Sequence, residues 1–356
     1  MLLDPRDWSL AHRMDSILPR LSPNLLSSVT AETHEAAIEL HTSPHHNADG
    51  AAREVVSARA ALASELAACG LRAAGAGTHP FAVWTETKVS NGARYQLVYE
   101  SMRELARREP TFALHVHIGV ADSRRAIALY NRLRTHVPLL LALSANSPFW
   151  QGRDTGLAST RTPIFQGFPR VGIPRPFSTY ADYADAVDQL LRCEAFPEPT
   201  FLWWDVRPQP RFGTVEVRAM DAQADSSYTG ALAALVQTIA HLELEEGYHS
   251  EQLIHALELL DENRFLAARD GMDARLIDPA AERRVPAQEL LEQLLDAGRS
   301  HAQELGCENA LEIVSELSRE TGAVRQRRRA RMRPLAKVVQ SLSDEFTALR
   351  IPGGSH

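Results

Sequence analysis

Two short segments with alternating polar and apolar residues constrain the fold of this chain more than any other feature. Residues 203–207 read WWDVR and residues 214–218 read TVEVR, with PQPRFG at 208–213 between them. Alternation with a period of two is typical of strands that are buried on one face, and strands joined by a short connection are antiparallel. A third alternating segment, HVHIGV at 115–120, predicts another strand. The sequence therefore predicts an antiparallel sheet.

Segments with helical periodicity surround these strands. The predicted helices are residues 51–69, 94–108, 122–134, 181–193, 222–244, 250–269, 286–305 and 335–349. The glycines form neither a GxGxxG nor a GxxxxGK[ST] pattern, so Rossmann and P-loop folds lose their main support. Because we find no internal repeat and no long linker, we predict one α+β domain at 1–349, with helices covering the antiparallel sheet. Residues 350–356 are expected to form a flexible tail.

Composition limits the partners and the compartment. The formal net charge is −7, which argues against wholesale nucleic-acid binding, and the arginine-rich segment 325–333 is expected to be a solvated helical face. The longest apolar run, 137–143, is much shorter than a membrane span, and no secretory signal is visible. The three cysteines, Cys69, Cys193 and Cys307, form no CxxC pair and favour a reducing compartment. We therefore expect a cytoplasmic protein; a homo-oligomer is compatible with the sequence.

The predicted hairpin carries charged residues on one face. In the second strand, Glu216 and Arg218 alternate with valines, and in the first strand the polar face holds Asp205 and Arg207. If the hairpin is symmetric about residues 208–213, Asp205 lies opposite or near Glu216. Like charges directly across two strands are destabilising. Such a face must be solvated, neutralised by arginine, or occupied by a cation.

Further candidate residues occur in three other segments. His115 and His117 share one face of their strand, where a histidine is either a hydrogen-bonded structural residue or a ligand. The segment TAETHEAAIEL at 30–40 is ambiguous: a helix groups Glu32, Glu35 and Glu39, whereas a strand places Glu35 with Glu39 and excludes Glu32. The polar loop at 144–161 suits either ligand binding or an ordinary surface.

Several of these segments together resemble the carboxylate-amine ligases, also called glutamate–cysteine ligase type 2. The resemblance runs in the family's order from about residue 1 to the arginine-rich segment near 333. The segments that carry it are TAETHEAAIELHT (30–42), HPFAVW (79–84), HVHIGV (115–120), LALSANSPFWQGRDTGLASTR (141–161), WWDVRPQPRFGTVEVRAMDA (203–222) and ENRFLAARDGMDARLID (262–278).

The resemblance implies a glutamine-synthetase-like catalytic fold and an ATP- and Mg²⁺-dependent reaction on amino-acid substrates. ATP would phosphorylate a carboxylate, and an amine would attack the resulting acyl phosphate. By analogy with the family, Glu216 would be a metal ligand, Glu39 and the further candidate Glu32 would lie at another ion, and His117 matches the histidine of that site.

The same resemblance implies roles for cationic and amide side chains. Arg218, on the face of Glu216, would meet phosphate or a substrate carboxylate, since arginines stabilise charge on a transferring phosphoryl group. Arg161 is a second candidate for this role. Asn263 and Arg264 are a third, at the cofactor.

The sequence departs from the family pattern at its start. Family members usually open with a strand that bears a Gly-Val-Glu-x-Glu-like run just before the segment matching Met1-Leu2-Leu3-Asp4. We expect that the start was set too late, at an internal methionine, so that the first strand is truncated. The alternative is a natural truncation, which would leave a non-catalytic member that binds a nucleotide or an amino acid.

Overall fold

The computed structural model describes residues 1–108 and 110–348. The tail expected at 350–356 and the last residue of the helix predicted at 335–349 lie outside the described residues. The strands are β1 (Leu2–Leu3), β2 (Val29–Ala31), β3 (Ile38–Leu40), β4 (Arg72–Ala73), β5 (Ala113–Gly119), β6 (Phe149–Trp150), β7 (Arg153–Asp154), β8 (Val171–Gly172), β9 (Trp203–Trp204), β10 (Val206–Gln209), β11 (Thr214–Asp221), β12 (Arg275–Asp278) and β13 (Arg283–Pro286).

The largest sheet among the described residues has the strand order β10-β11-β5, with both pairs antiparallel. The other strands form two-stranded units: β1–β4, β2–β3, β6–β7 and β12–β13 are antiparallel, and β8–β9 is parallel. The strand predicted at 203–207 is therefore two strands, because β9 pairs with β8 while β10 pairs with β11. The antiparallel hairpin itself is confirmed.

Most of the described residues are in helices, and these helices surround the central sheet. They are α1 (Met14–Ile17), α2 (Pro23–Leu26), α3 (Ala48–Ala68), α4 (Ala93–Met102), α5 (Ser123–Ser144), α6 (Arg161–Gln166), α7 (Tyr180–Arg192), α8 (Ser226–Glu245), α9 (Glu251–His255), α10 (Leu257–Asp270), α11 (Ala287–Glu304), α12 (Glu308–Arg319), α13 (Gly322–Ala330) and α14 (Leu335–Thr347). Each predicted helix has a counterpart here, although the one at 250–269 is divided at Ala256 into α9 and α10.

The core lies between the apolar face of the sheet and the two long helices α5 and α8. Val206, Val215 and Val217 are completely buried on that face. Helix α5 begins at the side chain of Asp122, which accepts a hydrogen bond from the Arg125 amide at 2.8 Å. It is longer than predicted because it continues through the buried segment 137–143. The predicted α+β domain, an antiparallel sheet covered by helices, is confirmed.

The arginine-rich segment forms α13 and the turn after it. Arg327 donates to Asp154 at 2.7 Å, Arg328 pairs with Glu320, and Arg329 pairs with Glu345. These three arginines form ion pairs within the molecule, whereas the sequence predicted a solvated helical face. None of the described helices is both long enough and apolar enough to cross a bilayer.

Candidate active site on the central sheet

A row of three polar residues crosses the open face of the central sheet. The strand register places Arg207 on β10 and His117 on β5 on either side of Glu216 on β11. Asp205, expected opposite Glu216, is not its partner. The backbone carbonyl of Asp205 instead accepts a hydrogen bond from the backbone amide of Arg218 at 2.8 Å. The offset arises because β10 extends through Pro208 and Gln209, so the turn is shorter than the predicted connection. This register replaces a like-charge pair by an ion pair.

Glu216 is only 1% exposed and is surrounded by donors. Its Oε2 accepts Nε of Arg207 at 2.7 Å and Nε2 of Gln209 at 2.9 Å, while its Oε1 accepts Nη1 of Arg218. Burial alone would raise the pKa of Glu216, but Arg218, His115 and Arg207 outweigh it and hold the pKa far below its ordinary value. The neighbouring cationic and imidazole groups therefore favour the charged form of Glu216.

The two strand histidines face this carboxylate. Nδ1 of His115 lies 3.6 Å from Oε1 of Glu216, and Nε2 of His117 lies 3.8 Å from Oε2. Burial lowers the pKa of both histidines, and Arg218 acts in the same direction. The Nδ1 atom of His117 contacts the Thr214 hydroxyl at 2.9 Å, which leaves Nε2 toward the site. A neutral imidazole held at one nitrogen is the usual form of a histidine ligand.

A β-bulge places Arg218. The register between β11 and β5 shifts between Val217 and Met220, so Arg218 and Ala219 together occupy the irregular position. Their carbonyls accept Nη2 and Nη1 of the buried Arg161, at 3.1 and 3.0 Å. A bulge leaves backbone groups without ladder partners, and a guanidinium can satisfy two of them at once. In this geometry Arg161 is a positioning residue for Arg218.

Asp221 fixes the other end of β11 and was not recognised from the sequence. It is completely buried and accepts the amide of Asn146 at 2.9 Å, the hydroxyl of Ser147 at 2.7 Å and the hydroxyl of Ser159 at 3.0 Å. Arg161 lies 3.7 Å away. Burial raises the pKa of Asp221, against these donors. The polar groups of the loop 144–161 thus largely form an internal hydrogen-bond network, which neither reading of the loop anticipated.

The hairpin of β2 and β3 supplies a second acidic group. Thr30 pairs with Glu39 in the register and donates to its Oε2 at 3.2 Å. Glu39 keeps an exposed surface, but the protein around it reduces its hydration and raises its pKa; the negative charge of Glu32 raises the pKa further, and Arg218 lowers it. Burial and both carboxylates raise the pKa of Tyr95 to about 12. Glu32 and Glu39 therefore lie close enough for their charges to interact, and Arg218 interacts with both Glu39 and Glu216.

Neither reading of the 30–40 segment was complete. The segment forms two strands around a connection at 32–37, so Glu35 is separated from Glu39. Glu35 faces Asp15 and Lys88 instead: burial and Asp15 raise the pKa of its carboxyl group, and Lys88 lowers it. The local pattern could not reveal a chain reversal between Glu32 and Glu39.

Asn263 and Arg264 lie on α10 and have structural partners. Asn263 donates to the carbonyl of Ile277 at 2.8 Å and accepts the Ile277 amide at 2.6 Å, so it fixes β12. Arg264 donates to Asp205 and, at 2.7 Å, to Gln166. Both side chains are buried, and neither contacts Glu216. Arg264 is linked to the site through Asp205, and its charge also acts on Arg161.

Arg207 and Gln209 complete the set of residues that bind Glu216 but were not assigned a role from the sequence. The signal was present, because alternation places both on the same strand face as Asp205. The missing information was the register of the hairpin. Only the position of the turn decides which residue of β10 lies opposite Glu216.

The acidic groups differ in how well they suit a magnesium ion. Glu32 and Glu39 interact unfavourably, and among the described residues no Arg or Lys forms an ion pair with either. Two carboxylates of this kind match the oxygen preference of Mg²⁺. Glu216 already has cationic partners, and its Oε1 would become available only when Arg218 releases it. Glu32 and Glu39 therefore fit a divalent cation better than Glu216 does.

Comparisons with known proteins agree with this fold and its motifs. The model of a family described as glutamate-cysteine ligase family 2 matches residues 3–345. "Putative glutamate--cysteine ligase 2-1" of Rubrobacter xylanophilus is 40% identical over 316 residues, which cover 89% of this chain and 84% of that relative. "Putative glutamate--cysteine ligase 2-3" of the same organism is 39% identical over 346 residues, covering 96% and 94%.

A solved structure has the same fold. Glutamate–cysteine ligase from Francisella tularensis in complex with AMP superposes with a TM-score of 0.69 at 14% sequence identity. The match covers 99% of this chain and 88% of that chain. The family model and the relatives together identify the sequence, and the solved structure shows the fold. The chain belongs to glutamate–cysteine ligase family 2.

Proposed function

We propose that this protein is an ATP-dependent ligase that joins an amino-acid carboxylate to an amine, with glutamate and cysteine as the first substrates to test. Family membership and the names of the relatives support a ligase. The AMP bound to the Francisella enzyme supports an adenine nucleotide as the second substrate class. The observation that carries the proposal is the cluster of Glu216, Arg207 and Arg218 beside the Glu32–Glu39 pair.

The proposed reaction has two steps that balance in atoms and charge. A carboxylate oxygen of the first substrate attacks the γ-phosphorus of ATP, and the bond from this phosphorus to the ADP oxygen breaks. The amine of the second substrate then attacks the carbonyl carbon of the acyl phosphate, and phosphate leaves as the amide forms. The proton that the amine loses passes to the departing phosphate, which leaves as hydrogen phosphate. Because both steps concentrate negative charge on phosphate oxygens, cationic groups must face them.

The residues of the chain divide this work. We assign Arg218 to the transferring phosphoryl group or the substrate carboxylate, since its half-buried side chain pairs with Glu216 and also interacts with the charge of Glu39. Glu32, Glu39, Glu216 and His117 are proposed to hold magnesium, which would neutralise phosphate charge and act as a Lewis acid. Arg161 holds the backbone of Arg218 in the bulge. Asn263 and Arg264 are proposed to support nucleotide binding indirectly. Asn263 fixes β12, and Arg264 binds Asp205 and Gln166.

Release of phosphate is expected to require Mg·ATP, an amino-acid carboxylate and an amine together. Omitting either amino acid should remove most of the signal. Without the carboxylate no acyl phosphate forms, and without the amine its phosphate is not released. The measurement is a coupled assay for phosphate, with glutamate and cysteine first and then other amino acids. Melting temperature with nucleotide, with and without Mg²⁺, is recorded in parallel. Nucleotide stabilisation without phosphate release from any pair would favour the non-catalytic alternative.

The cysteines are expected to be dispensable, because acyl-phosphate chemistry uses no protein thiol. Cys69, Cys193 and Cys307 are free, and Cys307 is buried beside the Thr238 hydroxyl, with Sγ and Oγ1 3.7 Å apart. The triple serine variant should keep phosphate release within about twofold. It should lose about 1 kcal/mol of stability, mainly by placing a hydroxyl at position 307. A folded triple variant without activity would contradict the proposed mechanism.

The remaining expectations are also proposals. The free cysteines agree with a cytoplasmic location. Small amino-acid substrates follow from the ligase assignment, whereas a homo-oligomer and the domain limit at residue 349 stay predictions.

A further inference from the structure

A second group of ionisable residues lies between α8 and α11, and it shares no residue with the site on the sheet. His241 and Glu245 are four residues apart on α8, and His301 and Glu304 are three residues apart on α11. Residues at these spacings lie on the same face of a helix. One ligand atom from each of the four side chains can be chosen so that all lie within 4.8 Å of one another.

The hydrogen bonds of His301 fix which of its nitrogens carries the proton. Its Nε2 lies 2.8 Å from Oε1 of Glu246, and a carboxylate can only accept, so the N–H is at Nε2. His301 therefore presents the lone pair of Nδ1 toward His241, whose own Nδ1 is 2.9 Å away. A carboxylate behind one imidazole nitrogen and a lone pair at the other is the arrangement of histidines that bind zinc.

His241 cannot satisfy both of its neighbours as a neutral ring. Its Nδ1 faces the lone pair of His301, and its Nε2 faces Oε1 of Glu245 at 3.3 Å. A neutral imidazole has one N–H, so one nitrogen must point a lone pair at another acceptor. Throughout the chain that the structure describes, Glu245, Glu246 and Glu304 have no Arg or Lys partner. A metal ion placed among these side chains would accept the lone pairs and balance the charge of the carboxylates.

We propose that His241, Glu245, His301 and Glu304 bind a divalent transition ion of the zinc class. Two imidazoles and two carboxylates form a four-ligand set typical of zinc, and the carboxylates match the charge of the ion. Magnesium is disfavoured because it prefers an all-oxygen shell. Tetrahedral ligands at zinc distances lie about 3.3 Å apart, so ligand atoms that are up to 4.8 Å apart must move closer, whereas the two Nδ1 atoms at 2.9 Å must separate slightly. The two glutamates are exposed and can make this adjustment.

A bound ion would join α8 to α11. His301 is 4% exposed, so one ligand is fixed by the core, while Glu246 orients it from outside. An ion that binds only the folded chain stabilises it by mass action.

A second histidine group provides a useful contrast. His136, Glu243 and His249 are also close enough to share an ion. There, however, Glu243 already accepts Arg132 at 3.2 Å and His136 at 2.6 Å. The cationic guanidinium occupies the place that an ion would need, so we assign no metal to this group.

The test uses the full-length, untagged protein after treatment with a chelator. Co²⁺ is titrated in millimolar Mg²⁺, which competes at sites that prefer oxygen ligands, and the visible absorption of tetrahedral Co²⁺ is recorded. One equivalent should bind. His241→Ala and Glu245→Gln should each weaken binding at least tenfold, which is about 1.4 kcal/mol. His255→Ala, an exposed histidine on α9, is the matched control and should bind as the wild type does.

Zinc should raise the melting temperature of the wild type and of His255→Ala, but not of His241→Ala. The proposal is overturned if the wild type develops no tetrahedral absorption, or if His241→Ala and Glu245→Gln bind as tightly as the wild type. Because neither measurement uses ligase activity, these outcomes are independent of the proposed function.

Discussion

Glu216→Gln is expected to lower phosphate release by at least 100-fold at saturating Mg·ATP. The substitution keeps the volume of the side chain but removes the charge that Arg207 and Arg218 neutralise. Removing an electrostatic group of this kind from a reaction centre costs about two to three orders of magnitude in turnover. The measurement is the rate of phosphate release across a range of Mg²⁺ concentrations. Near-normal turnover at saturating Mg²⁺ would contradict a role for Glu216 at the metal.

The same substitution should also destabilise the protein, so the two effects must be separated. Arg207 is buried, and without Glu216 it lacks its counter-charge, at a cost of about 3 kcal/mol. Glu243→Gln is the matched control, because Glu243 is equally buried and bound to Arg132 and His136, outside the sheet. We expect it to lose similar stability and to keep its turnover within about twofold. Loss of activity in both variants would assign the effect of Glu216→Gln to stability.

The pH dependence of stability provides a further check on Glu216. Its pKa in the folded state is depressed below the ordinary value of 4.5. Its charge therefore stabilises the fold above about pH 4.5, and this contribution is lost as the pH falls toward the folded pKa. The difference in melting temperature between wild type and Glu216→Gln should consequently narrow from pH 7 to pH 3.5. A constant difference would mean that the charge of Glu216 does not contribute to stability.

The hairpin shows how far sequence reasoning reaches in this fold. Alternation identified both strands and the polar face that holds Glu216, because a strand with one buried face repeats every two residues. It did not give the register, since a shift of the turn by one residue at each strand changes every cross-strand partner. As a result Asp205 was placed opposite Glu216, where the structure has Arg207. The sequence predicted which residue types occupy the polar face of the hairpin, but not which residues are cross-strand partners.

Long-range contacts explain what was missed elsewhere. Asp221 is 75 residues from Asn146 in sequence, and its role depends on a loop that folds back onto β11. No local period marks such a residue. The apolar residues Leu311, Val314 and Leu317 of α12, in contrast, recur at three-residue spacing, so this unpredicted helix was visible in the pattern. An amphipathic helix leaves a local pattern in the sequence, whereas a buried polar network depends on contacts that only the tertiary structure shows.

Arg161→Lys is the substitution that tests how the bulge supports the site. Its guanidinium reaches the carbonyls of both Arg218 and Ala219 while facing Asp221. Lysine keeps the charge but cannot reproduce a fork of two parallel donors. We expect a loss of about 2–3 kcal/mol in the free energy of unfolding, since charged hydrogen bonds to buried carbonyls are lost. Turnover should fall at least tenfold, because Arg218 is then held less precisely.

Arg134→Lys separates positioning from stability. Arg134 is also completely buried and donates to two backbone carbonyls, those of Pro174 at 2.6 Å and Ile254 at 3.1 Å, outside the sheet. It should lose as much stability as Arg161→Lys while keeping its turnover within about twofold. If Arg161 positions Arg218, kcat falls in Arg161→Lys with little change in KM for either substrate. A rise in KM for ATP or for the carboxylate alone, at unchanged kcat, would instead mean that Arg161 contacts that substrate directly. Wild-type kinetics in a destabilised Arg161→Lys would show that the bulge tolerates its loss and that Arg218 is fixed by Glu216 alone.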